Sequence, residues 1–251
     1  MSVALSFNLN KIALIRNSRD GNFPDVQDFG RKALEYGANG LTVHPRPDQR
    51  HIRPQDVRDT AALVALFPGA EFNIEGNPFA EPLEDYPGLV ALALETQPHQ
   101  CTLVPDTHAQ KTSDHGFNLH QDGPNLVPII QQLHQHNIRV SLFMDPVTEQ
   151  IQMAKTIGAD RIELYTGPYA WAYKQNIQAG QAEYEKHRTA ARFAREIGLE
   201  VNAGHDLNLE NLPLYRQLPG LMEVSIGHAL TVEALYMGFE KTVKSYLAIC
   251  R

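Results

Sequence analysis

Five apolar runs in this chain each end on a side chain that can move a proton or hold a ligand. Asn8 follows Phe7, His44 follows Leu41-Thr42-Val43, and Glu75 follows Phe72-Asn73-Ile74. His205 follows Val201-Asn202-Ala203-Gly204, and His228 follows Ser225-Ile226-Gly227. Imidazoles and a carboxylate at such positions suit general acid–base chemistry, since burial raises a carboxyl pKa toward the range where proton transfer is efficient at neutral pH. The stretch His44-Pro45-Arg46-Pro47-Asp48-Gln49-Arg50-His51 packs two His and two Arg into one loop, a good receiver for phosphate or carboxylate. Lys11, Arg16 and Arg19 follow Asn8 in the first β/α loop and are further candidate anion ligands. The Gly204-His205 and Gly227-His228 pairs would let the backbone approach a phosphate closely, on N–H groups and the start of a following helix.

Other candidates carry less. His134 and His136 are two apart on a helix and do not share a face. His108, His115 and His120 have neither carboxylate partners nor the tight spacing of a zinc site, so no metal is expected. No Ser nucleophile elbow or Walker loop occurs, and no lysine closes an apolar run as a Schiff-base aldolase would require.

The elements that must position these groups alternate. Apolar runs at Val3 to Leu9, Gly40 to His44, Glu71 to Glu75 and Cys101 to Val104 read as strands, as do Ile138 to Met144, 161–165, Leu199 to Ala203 and Met222 to Ile226. Helices begin at Pro24 and Pro54, run through Leu89 to Leu94, and span Asn125 to His136 with Leu126, Ile129, Ile130 and Leu133 on one face. Further helices pass through Ile151 and Ala154, span Ala179 to Ile197, cover Leu209 to Leu218 briefly, and end near Leu247. About eight such units predict an α/β chain, residues 1–251 forming a single (β/α)8 TIM barrel with its site at the C-terminal ends of the strands. A doubly wound open sheet is the alternative, but no Gly-x-Gly-x-x-Gly turn follows the first strand. Two connections, Asp106 to Gly123 and Gly167 to Gln178, read as long loops and candidate lids.

Composition narrows the partners. A net charge of −7 without a basic stripe argues against nucleic acid, while local Arg and His still admit small anions. No apolar stretch reaches the roughly 18 residues needed to span a membrane. The first residues lack the features of a signal peptide, and Cys101 and Cys250 form no framework, which fits a cytoplasmic location.

Taken together, several segments resemble the pyridoxine 5′-phosphate synthase family, in the family's order and over nearly the full chain. They are Asn8-Leu9-Asn10-Lys11-Ile12-Ala13 with Arg16-Asn17-Ser18-Arg19, Gly40 to His44 with Arg46 and Arg50-His51, Asn73-Ile74-Glu75, and Leu103-Val104-Pro105. Val140 to Phe143, Val201 to His205, and Ile226-Gly227-His228-Ala229 complete the set. The resemblance implies a cofactor-independent condensation of two phosphorylated substrates, 3-amino-2-oxopropyl phosphate and 1-deoxy-D-xylulose 5-phosphate, to pyridoxine 5′-phosphate, phosphate and water. It implies His44 and Glu75 as acid/base residues and His205 as proton donor. Asn8, Arg19 and Gly227-His228 would hold the aminoketone phosphate; Arg46, His51 and Thr112 would hold the deoxyxylulose phosphate. It also implies a closing lid at Asp106 to Gly123 and a homo-oligomer, an octamer of dimers. Alternatives are a paralogous barrel enzyme for another phosphorylated ketose or aminoketone, and a non-catalytic binder of phosphorylated metabolites.

Three positions depart from the family pattern. Asn10-Lys11 stands where the family has Asp-His, at a place that helps bind the deoxyxylulose substrate. Asp206 replaces a glycine after the proton-donor histidine, where a carboxylate facing a bound phosphate would repel it by roughly 1 to 4 kcal/mol at about 4 Å. Asn77 to Gly88 is longer and richer in proline than the family's stretch.

Overall fold

A computed structural model describes residues 2–107 and 109–251. His108 therefore lies outside the described residues. Strands β1 (Ala4–Asn8), β2 (Gly40–Val43), β3 (Glu71–Gly76), β4 (Gln100–Leu103), β5 (Arg139–Met144), β6 (Arg161–Tyr165), β7 (Glu200–Gly204) and β8 (Leu221–Ile226) pair in parallel, each with the next, and β8 closes on β1. The helices are α1 (Asn10–Arg16), α2 (Val26–Glu35), α3 (Pro54–Val64), α4 (Leu89–Thr96), α5 (Leu119–Gln135) and α6 (Thr148–Thr156). Then come α7 (Gly167–Gln175), α8 (Ile177–Glu196), α9 (Leu212–Tyr215), α10 (His228–Met237) and α11 (Phe239–Cys250). This is the expected (β/α)8 barrel.

Strand side chains alternate between two buried environments. Leu5, Phe7, Leu41, Val43, Phe72, Ile74, Leu103, Val140, Leu142, Ile162 and Leu164 join the main apolar core. Their neighbours along each strand, of opposite sense in the pleat, are largely polar and tie strand to strand. Ser6 meets Thr42 at 2.7 Å, Thr102 donates to Asn73 Oδ1 at 3.0 Å, and Arg139 and Arg161 both donate to Gln100 Oε1. Barrel interiors are usually filled with Val, Ile and Leu; here hydrogen bonds and ion pairs satisfy most of these buried polar groups, as burial demands.

Three helices depart from expectation. Residues 10–16, read as loop, form α1. Helix α5 begins at Leu119 rather than Asn125, because Leu119 and Gly123 extend the buried face of Leu126, Ile130 and Leu133, which outweighs the amide lost at Pro124. The connection 167–178 is largely helix α7, not an irregular lid. It has no apolar stripe to reveal it and is held against α8, where Gly180 leaves room for Tyr173. By contrast, residues 104–107 and 109–118 have no helix or strand, as expected for the candidate lid.

Candidate active site

At the carboxyl ends of the strands lies a cavity of about 510 Å³. The end of β1 organises its floor. The Asn8 amide donates to Glu75 Oε1 at 2.8 Å, Asn8 Oδ1 accepts from Asn10 N at 3.0 Å, and Asn10 Oδ1 accepts from His44 N at 2.9 Å. One turn of chain therefore aims both the carboxylate on β3 and the imidazole after β2. Much of Asn10, expected to touch substrate, is spent on that scaffolding.

His44 is buried between two carboxylates. Its Nδ1 lies 3.5 Å from Glu75, and its Nε2 lies 3.0 Å from Asp106 Oδ2, off the N–H axis, so the second contact is chiefly ionic. Burial disfavours the charged ring, but Asp106 and then Glu75 outweigh it and raise the pKa to about 9. Burial likewise opposes charge on Asp106, yet His44 and Arg46 pull its pKa below the ordinary value. His51 goes the other way. Burial and the surrounding cations His44, Arg46, Lys11 and Arg50 depress its pKa to about 2, so the ring is neutral at pH 7. Its Nδ1 accepts from Ile52 N at 2.9 Å, which leaves the proton of the neutral ring on Nε2.

His205 approaches from β7. Its ring meets Thr112 through Nε2 at 2.9 Å and Asp206 through Nδ1 at 3.0 Å. Glu163 on β6 lines the same cavity. Burial, with Glu75 and Glu223 nearby, raises its pKa well above the carboxylate range and favours a carboxylic acid able to donate a hydrogen bond. Gly227 caps the start of α10 against Asn8, where a Cβ would stand 3.0 Å from the Asn8 backbone oxygen, so a larger residue would push the two strand ends apart by a few tenths of an ångström.

The structure brings His44, Glu75 and His205 together with Asn8, Asn10, Lys11, Arg46, His51, Thr112, Asp206, Gly227 and His228 around this one cavity. Two expectations fail. Arg19 is exposed and absent from the lining, because the turn after α1 carries it away from the mouth. Arg16 is no anion ligand: it is buried in a bidentate pair with Asp56, at 2.5 and 2.9 Å. His115 and His120 each have a surface carboxylate after all, Asp114 and Glu149.

Sequence reasoning missed Glu163, Asp106, Lys111 and Tyr165. Glu163 carried the signal that exposed Glu75, a carboxylate within an apolar strand. Asp106 sits in a segment without period, and nothing in the sequence pairs it with His44.

A closed parallel barrel with a polar, titratable cavity at its strand ends defines the class: a β/α-barrel protein with its site at the carboxyl face. Among solved structures it is similar to a 4-hydroxy-2-oxoglutarate aldolase from TTHB1, with a TM-score of 0.61 and 15% identity over 98% of this chain and 94% of that one, a likeness of fold alone. The chain belongs to the family described as pyridoxal phosphate biosynthesis protein PdxJ, whose model matches residues 5–251. It is 52% identical over 250 residues to the pyridoxine 5′-phosphate synthase of Xanthomonas campestris pv. campestris (strain B100), covering 99% of this chain and 96% of that protein. The synthase of Xylella fastidiosa (strain 9a5c) is 52% identical over 246 residues, covering 98% and 94%.

Proposed function

We propose that this chain, folded as one domain, condenses 3-amino-2-oxopropyl phosphate with 1-deoxy-D-xylulose 5-phosphate to pyridoxine 5′-phosphate, phosphate and water. The observation that carries the reading is convergence: His44 after β2, Glu75 on the adjoining β3 and His205 after β7 border one cavity with cations beside them. The full-length likeness to named synthases supports it further.

Imine formation, loss of phosphate, addition of water, ring closure and dehydration each need proton transfers at carbon, nitrogen or oxygen as the bonds form and break. The Glu75 carboxylate takes protons, the His44 imidazolium holds developing negative charge, and His205 donates a proton. Lys11, Arg46, His228 and the start of α10 receive the two phosphates. The 104–118 segment, whose residues 111–114 border the cavity, limits access of bulk water. The chain works in the cytoplasm as a homo-oligomer. Exposed Leu14 and Ile15 on α1 and Leu235 and Tyr236 on α10 supply an apolar surface for association.

Incubation of purified protein with both phosphates should release pyridoxine 5′-phosphate and inorganic phosphate together; absence of product overturns the assignment. Glu75→Gln should slow turnover by roughly 10²- to 10⁴-fold while leaving phosphate affinity largely intact, read from kcat and KM.

A further inference from the structure

The segment after β7 holds two consecutive residues in the left-handed region, His205 at φ 89° and Asp206 at φ 59°. Neither is glycine, and strain of this kind persists only where surrounding contacts enforce it. Thr166 supplies one such contact, its hydroxyl reaching the carbonyls of Gly204 and His205. Asn211 supplies another by donating to the Asp206 carbonyl at 3.1 Å. The result of the unusual backbone is a short-range pairing: Asp206 Oδ2 stands 3.0 Å from Nδ1 of its own neighbour, His205.

We propose that Asp206 is a positioning residue for His205, holding the ring so that Nε2 faces the reacting atoms while Nδ1 keeps its proton. The inference rests on the acid–base reading above. Both ring nitrogens of His205 have partners on opposite sides, Asp206 at Nδ1 and Thr112 of the 104–118 segment at Nε2. The edge of Tyr165, with ring centroids 5.2 Å apart, limits ring rotation. Because an ionised carboxylate only accepts, Asp206 selects the Nδ1–H form, and Nε2 alone exchanges protons with substrate. Only a proton moves, and Asp206 stays ionised throughout: Nε2 of the neutral ring first takes a proton and later gives it to a departing oxygen, which returns the ring to its Nδ1–H form. The proton it takes is the one the amine loses as the imine forms.

The charge of Asp206 is also answered locally. The hydrogen bond from His205 first, and then the attraction of His228 on α10 and Lys11 on α1 across the mouth, hold its pKa below the ordinary value although burial opposes this. Tyr165 is the neutral titratable group on the third side. The carboxylate is thus engaged, which removes the repulsion toward a phosphate expected of an unpartnered one.

The test compares wild type with Asp206→Gly and Asp206→Asn in the full-length protein. Glycine suits φ 59°, so it deletes the carboxylate without backbone cost; the amide oxygen of asparagine still accepts from Nδ1. Nitrogen-15 spectra of histidine-labelled protein should show His205 in the Nδ1–H form in wild type and a tautomer mixture in Asp206→Gly. Turnover should fall roughly ten- to a hundredfold in Asp206→Gly, with KM for either phosphate within about threefold and partial recovery in Asp206→Asn. An unchanged His205 spectrum overturns the proposal, and so does a lower KM at unchanged kcat, the mark of a carboxylate that merely repels. If wild type forms no product, the functional reading fails, while the spectra still decide the pairing.

Discussion

At the scale of single residues, the cavity works by opposing environments. His44 and His51 face each other across 6.1 Å between ring centroids, yet one is driven toward its cation and the other toward its neutral form. The difference is the company each keeps: two carboxylates flank His44, whereas like charges surround His51. Asp106 is the decisive partner and belongs to the 104–118 segment, so that segment sets the charge of the group beneath it. Arg46 reports the same coupling, because its guanidinium pairs with Asp106 at 2.5 Å. A phosphate arriving at Arg46 must compete with that carboxylate. Asp106→Asn should therefore bring the His44 titration down from about 9 toward or below its ordinary 6.5, followed by NMR. A His44 ring that still titrates near 9 would reject the assignment of Asp106 as its main partner.

At the scale of elements, a buried clamp holds the loop between β2 and α3. Arg16 of α1 meets both oxygens of Asp56 and also donates to the His51 carbonyl at 3.0 Å. Asn17 adds bonds to the carbonyls of His51 and Gln49, and Asp56 caps α3 by accepting from Arg53 N at 2.7 Å. The end of α1 and the start of α3 therefore fix where His51 stands. Removing one partner of such a pair strands a buried charge, which costs about 3–5 kcal/mol. Arg16→Met should lose that much stability in urea titrations, and Arg16→Met with Asp56→Leu should regain most of it. The double variant should still show a raised KM, because the His51 carbonyl has lost its guanidinium; unchanged KM would mean the clamp does not position the loop.

At the scale of the whole molecule, buried histidines should shape stability against pH. His44 has its folded pKa raised, so its contribution, roughly 3 kcal/mol, is complete below pH 6.5 and lost as pH rises through about 9. His51 and His187 have folded pKa values depressed to about 2 and about 4, so their contribution is present above pH 6.5 and lost as pH falls. Glu223, raised to about 7 by burial in the barrel interior, costs stability as pH climbs from 4.5 to that value. Glu163, raised further by burial beside Glu75, acts in the same sense, so stability should hold roughly level between pH 4.5 and 6.5 and fall on both sides. His187 lies outside the cavity, fully buried with its Nδ1 2.8 Å from the Tyr215 hydroxyl. His187→Phe should gain stability relative to wild type as pH falls from 6.5 to 4 and show no such gain on the alkaline side, measured as urea midpoints across pH. A difference from wild type that stays constant over that range would exclude His187.

The repeating run of apolar strand, turn and helix pointed to the barrel from the sequence by itself, since about eight such units close one and no Gly-x-Gly-x-x-Gly turn follows the first strand to favour an open sheet. It also determined that Asn8, His44, Glu75, His205 and His228 meet, because strand ends in a parallel barrel share one face. Local pattern could not say how α1 turns Arg16 inward and Arg19 outward, since that depends on Asp56, forty residues on from Arg16. Nor could it foresee Asp106 against His44, or α7, whose helix is held by α8 and not by a stripe of its own. Tertiary structure decided the charge states as well. A pKa is set by which groups lie within a few ångströms and how much water is excluded, and neither quantity is written in the order of residues along the chain.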